Sequence, residues 1–212
     1  MHILTLPERS EIDSERLVRR IPFFNSVYEA SPEQFSLIMS LADIIRCDEG
    51  ETIIRKGDND MKLFFLLKGQ LDVHLDDDKD GKAISIISPG EVFGILSMVT
   101  NSNRSAYIRS QKNAKNTILF SLDFSYISDD NLSKLSNEIK LIFYRMAVHN
   151  IRWTLELNKM TDPNHKLITA IRKLPVVKVE KGSDEELSVL KNQAKIMSDL
   201  LFEWNASTES DA

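Results

Sequence analysis

PGEVFGILSMVTNSNRSA, residues 89–106, is the stretch that decides the fold prediction for this chain. It combines two glycines, a short apolar turn of helical character and a single arginine, Arg104. Glycine permits positive φ and lets backbone amides approach a ligand closely, and amides at the start of a helical turn favour an anion. The guanidinium of Arg104 suits bidentate contact with a phosphate. The stretch therefore predicts a phosphate-binding loop.

The order of residues in this loop resembles a known motif. Phe-Gly-x-Leu-Ser-Met, followed by Arg-Ser-Ala with Arg104 ten residues after Gly94, is similar to the phosphate-binding cassette of cyclic-nucleotide-binding domains. Such domains occur in the catabolite activator protein, the protein kinase A regulatory subunit and cyclic-nucleotide-gated channels. The resemblance covers roughly Ile21 to Tyr126. Its separate matches outside the loop are Ile21–Phe24, Gly50–Ile54, Lys56–Asp58 and Phe64–Leu71.

The resemblance implies a ligand site for a cyclic nucleotide such as cAMP or cGMP, with no further cofactor. Arg104 stands where the family has its phosphate-binding arginine, and the Ser105 hydroxyl supplies a second donor. The predicted ligand-binding residues are Phe93, Gly94, Ile95, Leu96, Ser97, Arg104, Ser105 and Ala106.

One cassette position departs from the family pattern. The residue after the cassette glycine is usually a glutamate that accepts a hydrogen bond from the ribose, and here it is Ile95. A hydrogen bond to a charged group contributes about 1.5 to 3 kcal/mol, so we expect binding roughly 10- to 100-fold weaker. Two alternatives stay open, namely that Arg104 is buried against a carboxylate such as Glu91, and that Ile95 only fills the core.

Composition is typical of a globular protein: 28% of the 212 residues are charged and 42% are hydrophobic. No apolar run reaches the ~20 residues of a membrane span, and the N-terminus lacks the pattern of a signal peptide, so we expect a cytoplasmic protein. The net charge of −5 argues against a protein that mainly binds nucleic acid. A single cysteine, Cys47, excludes an internal disulfide and a cysteine-rich metal site, and we expect it to be buried.

The predicted fold class is mainly β plus α, an antiparallel β-roll of the jelly-roll type flanked by N-terminal helices and a C-terminal helical extension. Residues 44–120 hold short runs of β-branched and aromatic residues separated by glycines. The predicted divisions are a lead-in with a short helix (1–20), the β-roll (21–127), a long helix (128–161), a helical extension (162–204) and a disordered tail (205–212). Capping patterns within them predict that helices start at Ser31 and at Ser183. Residues 176–179 are predicted to form a short extended piece.

Two polar features within the β-roll are interpreted as structural. His74 alternates with apolar neighbours, which places it on the exposed outer face of a strand. The acidic run Asp76–Gly81 imitates the start of an EF-hand calcium loop. The position of the closing glutamate is Ile87, however, so we interpret the run as a solvated hairpin turn.

Apolar residues recur every three or four positions along the predicted long helix and form one sustained stripe. In the family the equivalent helix often pairs between subunits, so we predict a homodimer; the alternative is a helix that packs on its own β-roll. His149 is the stripe residue that titrates near neutrality, which makes pH-sensitive association a hypothesis. The predicted interface residues are Leu135, Ile139, Ile142, Met146, His149 and Trp153.

Other function classes lack support in the sequence. The segment after Met160 has no helix-turn-helix with a basic recognition helix, so DNA binding and a role as transcription regulator are not expected. We find no catalytic motif, and the four histidines show no metal-ligand spacing. Two regulatory functions stay open. One is a sensor that passes a ligand signal through the C-terminal helices to a protein partner; the other is a ligand-independent dimeric adaptor with a vestigial pocket.

Overall fold

The computed structural model describes residues 1–78, 81–114, 116–127, 134–174 and 179–210. It divides into two compact units. The first comprises Met1–Met98 and Ser102–Lys134, and the second comprises Val99–Asn101 and Leu135–Ala212.

Short helices precede the sheets of the first unit. They are α1 (Leu6–Glu11), α2 (Ser14–Arg19), α3 (Pro22–Ala30) and α4 (Pro32–Leu41), and β1 (His2–Ile3) comes before them. The predicted lead-in, residues 1–20, contains two helices rather than one, because the Thr5 amide donates to the Glu8 carboxylate at 2.8 Å and this capping contact starts α1. The predicted start of α4 is confirmed, since the hydroxyl of Ser31 accepts from the Gln34 amide at 3.2 Å.

Two antiparallel sheets follow, as the β-roll prediction requires. One has the order β1-β2-β9-β4-β7 and the other β3-β8-β5-β6. Every described pairing is antiparallel. The strands are β2 (Asp43–Cys47), β3 (Thr52–Ile54), β4 (Lys62–Lys68), β5 (Leu71–His74), β6 (Ser85–Ile87), β7 (Val92–Phe93), β8 (Tyr107–Ser110) and β9 (Thr117–Asp123). A short helix, α5 (Ile95–Thr100), joins β7 to β8.

Side chains of the two sheets form the core of the first unit, because alternate residues of each strand point to the same face. Cys47 is among them, and burial raises the pKa of its thiol to about 11. The core residues are Ile45, Cys47, Ile53, Ile54, Phe64, Leu66, Leu71, Ile87, Phe93, Ile108 and Leu119.

Helix α3 contributes Phe24 to a cluster of fully buried phenylalanines. Its ring centroid lies 4.7 Å from that of Phe65 on β4 and 4.6 Å from that of Phe120 on β9. Phe65 and Phe120 are register partners on adjacent strands. The cluster fixes the N-terminal helices to the five-stranded sheet.

The prediction that His74 is exposed was wrong, because only 7% of its surface is accessible. It lies on the outer face of β5, and the chain after β5 folds back over this face. There Arg109 donates to the Asp78 carbonyl at 3.1 Å and pairs with the Asp77 carboxylate. Asp77, in the β5–β6 hairpin, thus pairs with Arg109 of β8. Residues 79 and 80 of this hairpin lie outside the described part of the chain.

The second unit is helical. It contains α6 (Asn137–Thr161), α7 (Ile168–Arg172) and α8 (Asp184–Ser210). The Glu186 carboxylate on α8 accepts two hydrogen bonds from Arg145 on α6, at 2.8 and 2.6 Å. The apolar residues that α6 buries include Phe143, Ala147, Ile151 and Leu155, and those of α8 include Leu190, Ala194, Met197 and Leu201.

Helix boundaries in this unit differ from the predicted ones. Helix α6 ends at Thr161, as predicted. The predicted start was wrong for residues 134–136, because the Ser136 hydroxyl accepts from the Ile139 amide at 3.4 Å and caps the helix there, while 128–133 lie outside the described part. Helix α8 starts at the predicted Ser183 cap, whose hydroxyl accepts from the Glu186 amide at 3.1 Å. It continues to Ser210, so the disordered tail predicted from residue 205 is wrong for 205–210, while 211 and 212 are not described. Residues 176–178 of the predicted extended piece are also not described.

The longer α8 contacts the segment between α6 and α7. The indole of Trp204 is buried and stacks on the His165 ring, with centroids 3.7 Å apart. His165 Nε2 lies 2.8 Å from the Ser207 hydroxyl, one turn further along α8. These contacts stabilise the helix beyond Trp204.

Across the described ranges, no helix has the length and hydropathy that a membrane span requires.

We expect Phe24→Ala to lower the free energy of unfolding of the first unit by about 3 to 5 kcal/mol, because it leaves a cavity between α3 and the sheet. Urea denaturation followed by far-UV circular dichroism measures this. Ile86→Ala is the matched control, because Ile86 is 53% exposed, and it should change the free energy of unfolding by less than about 0.5 kcal/mol. Equal effects of the two substitutions would contradict the described packing of Phe24.

Candidate phosphate-binding cassette

The predicted cassette starts where β7 ends. Gly94 follows β7 with φ +85°, a conformation that side chains with a Cβ rarely adopt. A Cβ atom built at this position would lie 2.5 Å from Arg104 Nη1 and 3.2 Å from the Lys62 carbonyl oxygen. Glycine is therefore required here because the arginine side chain passes directly over its backbone.

Arg104 is buried, with 4% of its surface exposed, and its guanidinium is enclosed by protein acceptors. Nε and Nη2 donate to the two carboxylate oxygens of Asp60, at 3.1 and 2.5 Å. Nη2 also donates to the Lys62 carbonyl oxygen at 2.5 Å. Nη1 donates to the Gly94 carbonyl oxygen at 2.9 Å and to the Ser97 hydroxyl at 2.8 Å. A guanidinium has five N–H donors, and each has an acceptor here.

The backbone of Arg104 is held by the loop between β3 and β4. The Arg104 amide donates to the Asp58 carbonyl at 2.9 Å, and the Gly57 amide donates to the Arg104 carbonyl at 2.8 Å. The Lys56–Asp58 match noted in the sequence thus corresponds to a backbone clamp on the cassette arginine.

The ion pair changes the acidity of Asp60. Burial alone would raise the pKa of this carboxyl group, but hydrogen bonds from the Arg104 side chain and the Lys62 amide outweigh it and lower the pKa below 3.8. Asp60 is therefore ionised at neutral pH, and its charge compensates that of the buried guanidinium.

The pairing of Arg104 with a carboxylate was one of the two interpretations from sequence, but the named partner was wrong. The Glu91 carboxylate instead accepts a hydrogen bond from the Ser88 amide at 2.5 Å. Asp60 lies 44 residues before Arg104, and no local spacing or motif connects the two. Only the antiparallel arrangement of the sheets brings them together.

The other predicted ligand-binding residues differ in accessibility. Phe93 is buried and stacks on Phe64, with ring centroids 5.2 Å apart. Ile95 is 4% exposed and Ser97 5%, so the interior of the cassette is packed rather than open. Three predicted residues are half-buried, Leu96, Ser105 and Ala106. The structure thus brings Gly94, Ser97 and Arg104 together, and ligand contact by any of the eight residues stays a prediction.

The predicted dimer interface divides into two parts. Leu135, which lies before α6, and Ile139, in its first turn, are buried, with 6% and 1% of their surface exposed, and are not available to a partner. Trp153 is 59% exposed. The two parts differ because α6 has two adjacent apolar faces. The face that contains Phe143 and Ile151 is buried within the second unit, and the other is not. The exposed or half-buried residues that remain form a surface we call the α6 outer face: Ile142, Met146, His149, Trp153, Leu157 and Met160.

We expect Asp60→Asn to lower the free energy of unfolding at pH 7 by about 1 to 3 kcal/mol, because it leaves the Arg104 charge uncompensated. This loss of free energy is smaller than that expected for a fully buried ion pair, because the Asp60 side chain is 38% exposed. The pKa of Asp60 is lowered in the folded state, so its contribution is present above 3.8 and is lost as the pH falls through the folded-state value. Denaturation of both proteins between pH 7 and pH 2 should show the difference narrowing below about pH 4.

Asp58→Asn is the matched control, because the Asp58 side chain is exposed and only its backbone contacts Arg104. It should leave the pH profile of stability unchanged. A difference between wild type and Asp60→Asn that stays constant down to pH 2 would contradict the assigned ionisation.

Comparison with known proteins agrees with this architecture. Residues 44–127 match the family model described as the cyclic nucleotide-binding domain. A curated relative, the cAMP-dependent protein kinase type II regulatory subunit of Drosophila melanogaster, is 36% identical over 73 residues, which are 33% of this chain and 19% of the relative. The chain thus matches only about a fifth of the length of that protein.

A solved structure, PKAR CBD2 bound to Sp-2Cl-cAMPS, superposes with a TM-score of 0.50 over 72% of this chain and 91% of that one. At 20% identity this likeness shows the fold alone. Two antiparallel sheets, the glycine and arginine of the cassette and the family match lead to one conclusion: between residues 44 and 127 this chain carries a domain of the cyclic nucleotide-binding family.

Proposed function

We propose that this protein is a non-catalytic regulatory protein that senses a cyclic nucleotide or a related phosphate ester with weakened affinity. The observation that carries the proposal is the position of Arg104 Nη1, which donates to the Gly94 carbonyl and the Ser97 hydroxyl within the cassette. A phosphate oxygen can replace these two neutral acceptors while Asp60 and Lys62 continue to hold the rest of the guanidinium. Charge-assisted hydrogen bonds to phosphate are stronger than those to neutral acceptors.

Ile95 is the reason for the weakened affinity. Its side chain is buried and cannot accept a hydrogen bond from a ribose hydroxyl, which the family's usual glutamate does. The lost bond corresponds to roughly 10- to 100-fold in affinity. The relatives support the ligand class, because one is named a cAMP-dependent kinase regulatory subunit and another is described with a cAMP analogue bound.

The same arginine supports a second candidate, a ligand-independent adaptor with a vestigial pocket. All five donors of Arg104 already have protein acceptors, so this domain needs no ligand to compensate the buried charge. In either function the output passes to a protein partner through the C-terminal helices. For the sensor, the ligand must bind one arrangement of those helices more tightly than the other.

Isothermal titration of the full chain with cAMP, cGMP and cyclic dinucleotides separates the two candidates. For the sensor we expect weak, saturable binding of wild type that Arg104→Ala abolishes. Ile95→Glu should strengthen that binding by about 10- to 100-fold, because it restores the carboxylate.

Leu96→Glu is the control, since it places the same charge at the next, half-buried position and should give no gain. Binding by Ile95→Glu alone would show a pocket intact except for its carboxylate, and would favour the adaptor for the natural chain. Absence of binding by both wild type and Ile95→Glu would overturn the sensor.

We also propose that the protein is a homodimer that associates through the α6 outer face. Trp153 is 59% exposed, Leu157 44% and Met160 74%, and they lie on successive turns of one helix. Contiguous exposed apolar residues of this kind commonly mark interaction sites. A second copy fits because the same face of both chains can align along the helix, as in a two-fold interface.

We expect Trp153→Glu to convert the dimer to a monomer in sedimentation-velocity ultracentrifugation, because it places a charge in the apolar interface. Phe202→Glu, at a residue of α8 that is 42% exposed, is the matched control and should leave the mass unchanged. A monomeric wild type would contradict the dimer. A dissociation constant that does not change between pH 6 and 8 would exclude control by His149.

A further inference from the structure

Three arginines lie on one face near the end of α2. Arg16 and Arg19 belong to the helix, and Arg20 follows its last residue. Residues three and four positions apart are neighbours on a helix surface, so the three side chains extend from the same side. We refer to Arg16, Arg19 and Arg20 as the arginine cluster.

The arginine cluster has no acidic side chain within ion-pair distance in the described part of the chain. Among the residues that the structure describes, none of the three guanidiniums forms an ion pair or a side-chain hydrogen bond. Like charges four positions apart repel each other on a helix, and the negative end of the α2 dipole offsets this only in part. In a chain with 32 acidic residues and a net charge of −5, three adjacent unpaired arginines indicate an anion from outside.

Arg19 is positioned without an ion pair. Glu15 lies four residues earlier, a spacing that suits a salt bridge. The guanidinium instead lies over the Tyr28 ring, with its central carbon 3.7 Å from the ring centroid. Its Nε is buried and has no hydrogen-bond acceptor. The Tyr28 ring therefore holds Arg19 beside the cavity without neutralising its charge.

A cavity of about 570 Å³ adjoins the cluster. Pockets of this size hold groups considerably larger than an inorganic phosphate ion. Two carboxylates, Asp13 and Glu15, are also among its lining residues and limit its positive charge, which favours one compact anion over an extended polyanion such as nucleic acid or an anionic bilayer. The residues that line it are Asp13, Glu15, Arg16, Arg19, Arg20 and Asn25.

We propose that the arginine cluster binds a phosphoserine- or phosphothreonine-bearing segment of a partner protein. A phosphate monoester carries close to two negative charges at neutral pH and three acceptor oxygens, which match the planar donor forks of several arginines. The flanking peptide occupies the remainder of the cavity. This site is separate from the Arg104 cassette and does not depend on the function proposed for it.

The test is fluorescence polarisation of the full chain with a labelled glycine–serine heptapeptide that carries one central phosphoserine. We expect saturable binding that weakens as the salt concentration rises and that the unphosphorylated peptide lacks. Arg16→Gln and Arg20→Gln should each weaken binding about tenfold or more. Both side chains are exposed, so these variants should fold, which circular dichroism verifies.

Two further variants make the test specific. Glu15→Gln should strengthen binding, because it removes a repelling carboxylate from the cavity wall. Arg172→Gln removes an equal charge from an exposed arginine of the second unit and should have no effect. Equal binding of both peptides, or binding that Arg16→Gln and Arg20→Gln leave unchanged, would overturn the proposal.

Two other probes distinguish the source of the phosphoryl group. Inorganic phosphate should compete only weakly. If it competes with the same affinity as the phosphopeptide, the ligand of the site is a free phosphate ion and not a peptide. Vesicles of phosphatidylcholine with phosphatidylserine should not bind. Vesicle binding that requires Arg16 and Arg20, without phosphopeptide binding, would overturn a protein partner in favour of a membrane.

Discussion

The buried charge of Arg104 is the constraint on which the first unit depends. A guanidinium that is 4% exposed must have acceptors for its donors, and these come from three separate parts of the chain. Asp60 and Lys62 stand at the start of β4, Gly94 follows β7, and Ser97 lies on α5. The arginine therefore connects both edges of the cassette to the five-stranded sheet. The close approach of Arg104 Nη1 and the positive φ of the backbone both require glycine at residue 94.

The ion pair between Arg104 and Asp60 has two opposite effects on the binding of a ligand. Because Asp60 neutralises Arg104, the buried charge is balanced within the protein, and a phosphate gains less than it would from an uncompensated guanidinium. Because Nη1 has only neutral acceptors, however, one side of the guanidinium remains exchangeable. Ile95 then removes the second polar anchor that the family provides. The cassette thus retains the geometry of a phosphate site and loses part of its binding free energy, which places the protein near the boundary between a sensor and an adaptor.

The sequence predicted features that depend on neighbours in the chain and missed features that depend on distant ones. The Ser31 and Ser183 caps and the end of α6 each follow from a few consecutive residues. The Asp60 partner of Arg104 does not, because it lies 44 residues away. Likewise, alternation placed His74 on the outer face of β5 but carried no information about the later loop that covers it. On α6, periodicity found the helix, yet it could not tell which of two apolar faces the second unit buries.

The distribution of aromatic residues has a practical consequence. Both tryptophans of the chain, Trp153 and Trp204, belong to the helical unit, whereas the β-roll contains none. Their environments also differ, since one indole is largely in water and the other is buried against the His165 imidazole. Intrinsic tryptophan emission therefore reports selectively on the helices, with two spectrally distinct components. A ligand that enters the β-roll changes this emission only if the helices respond, so the protein contains its own optical reporter of signal transfer.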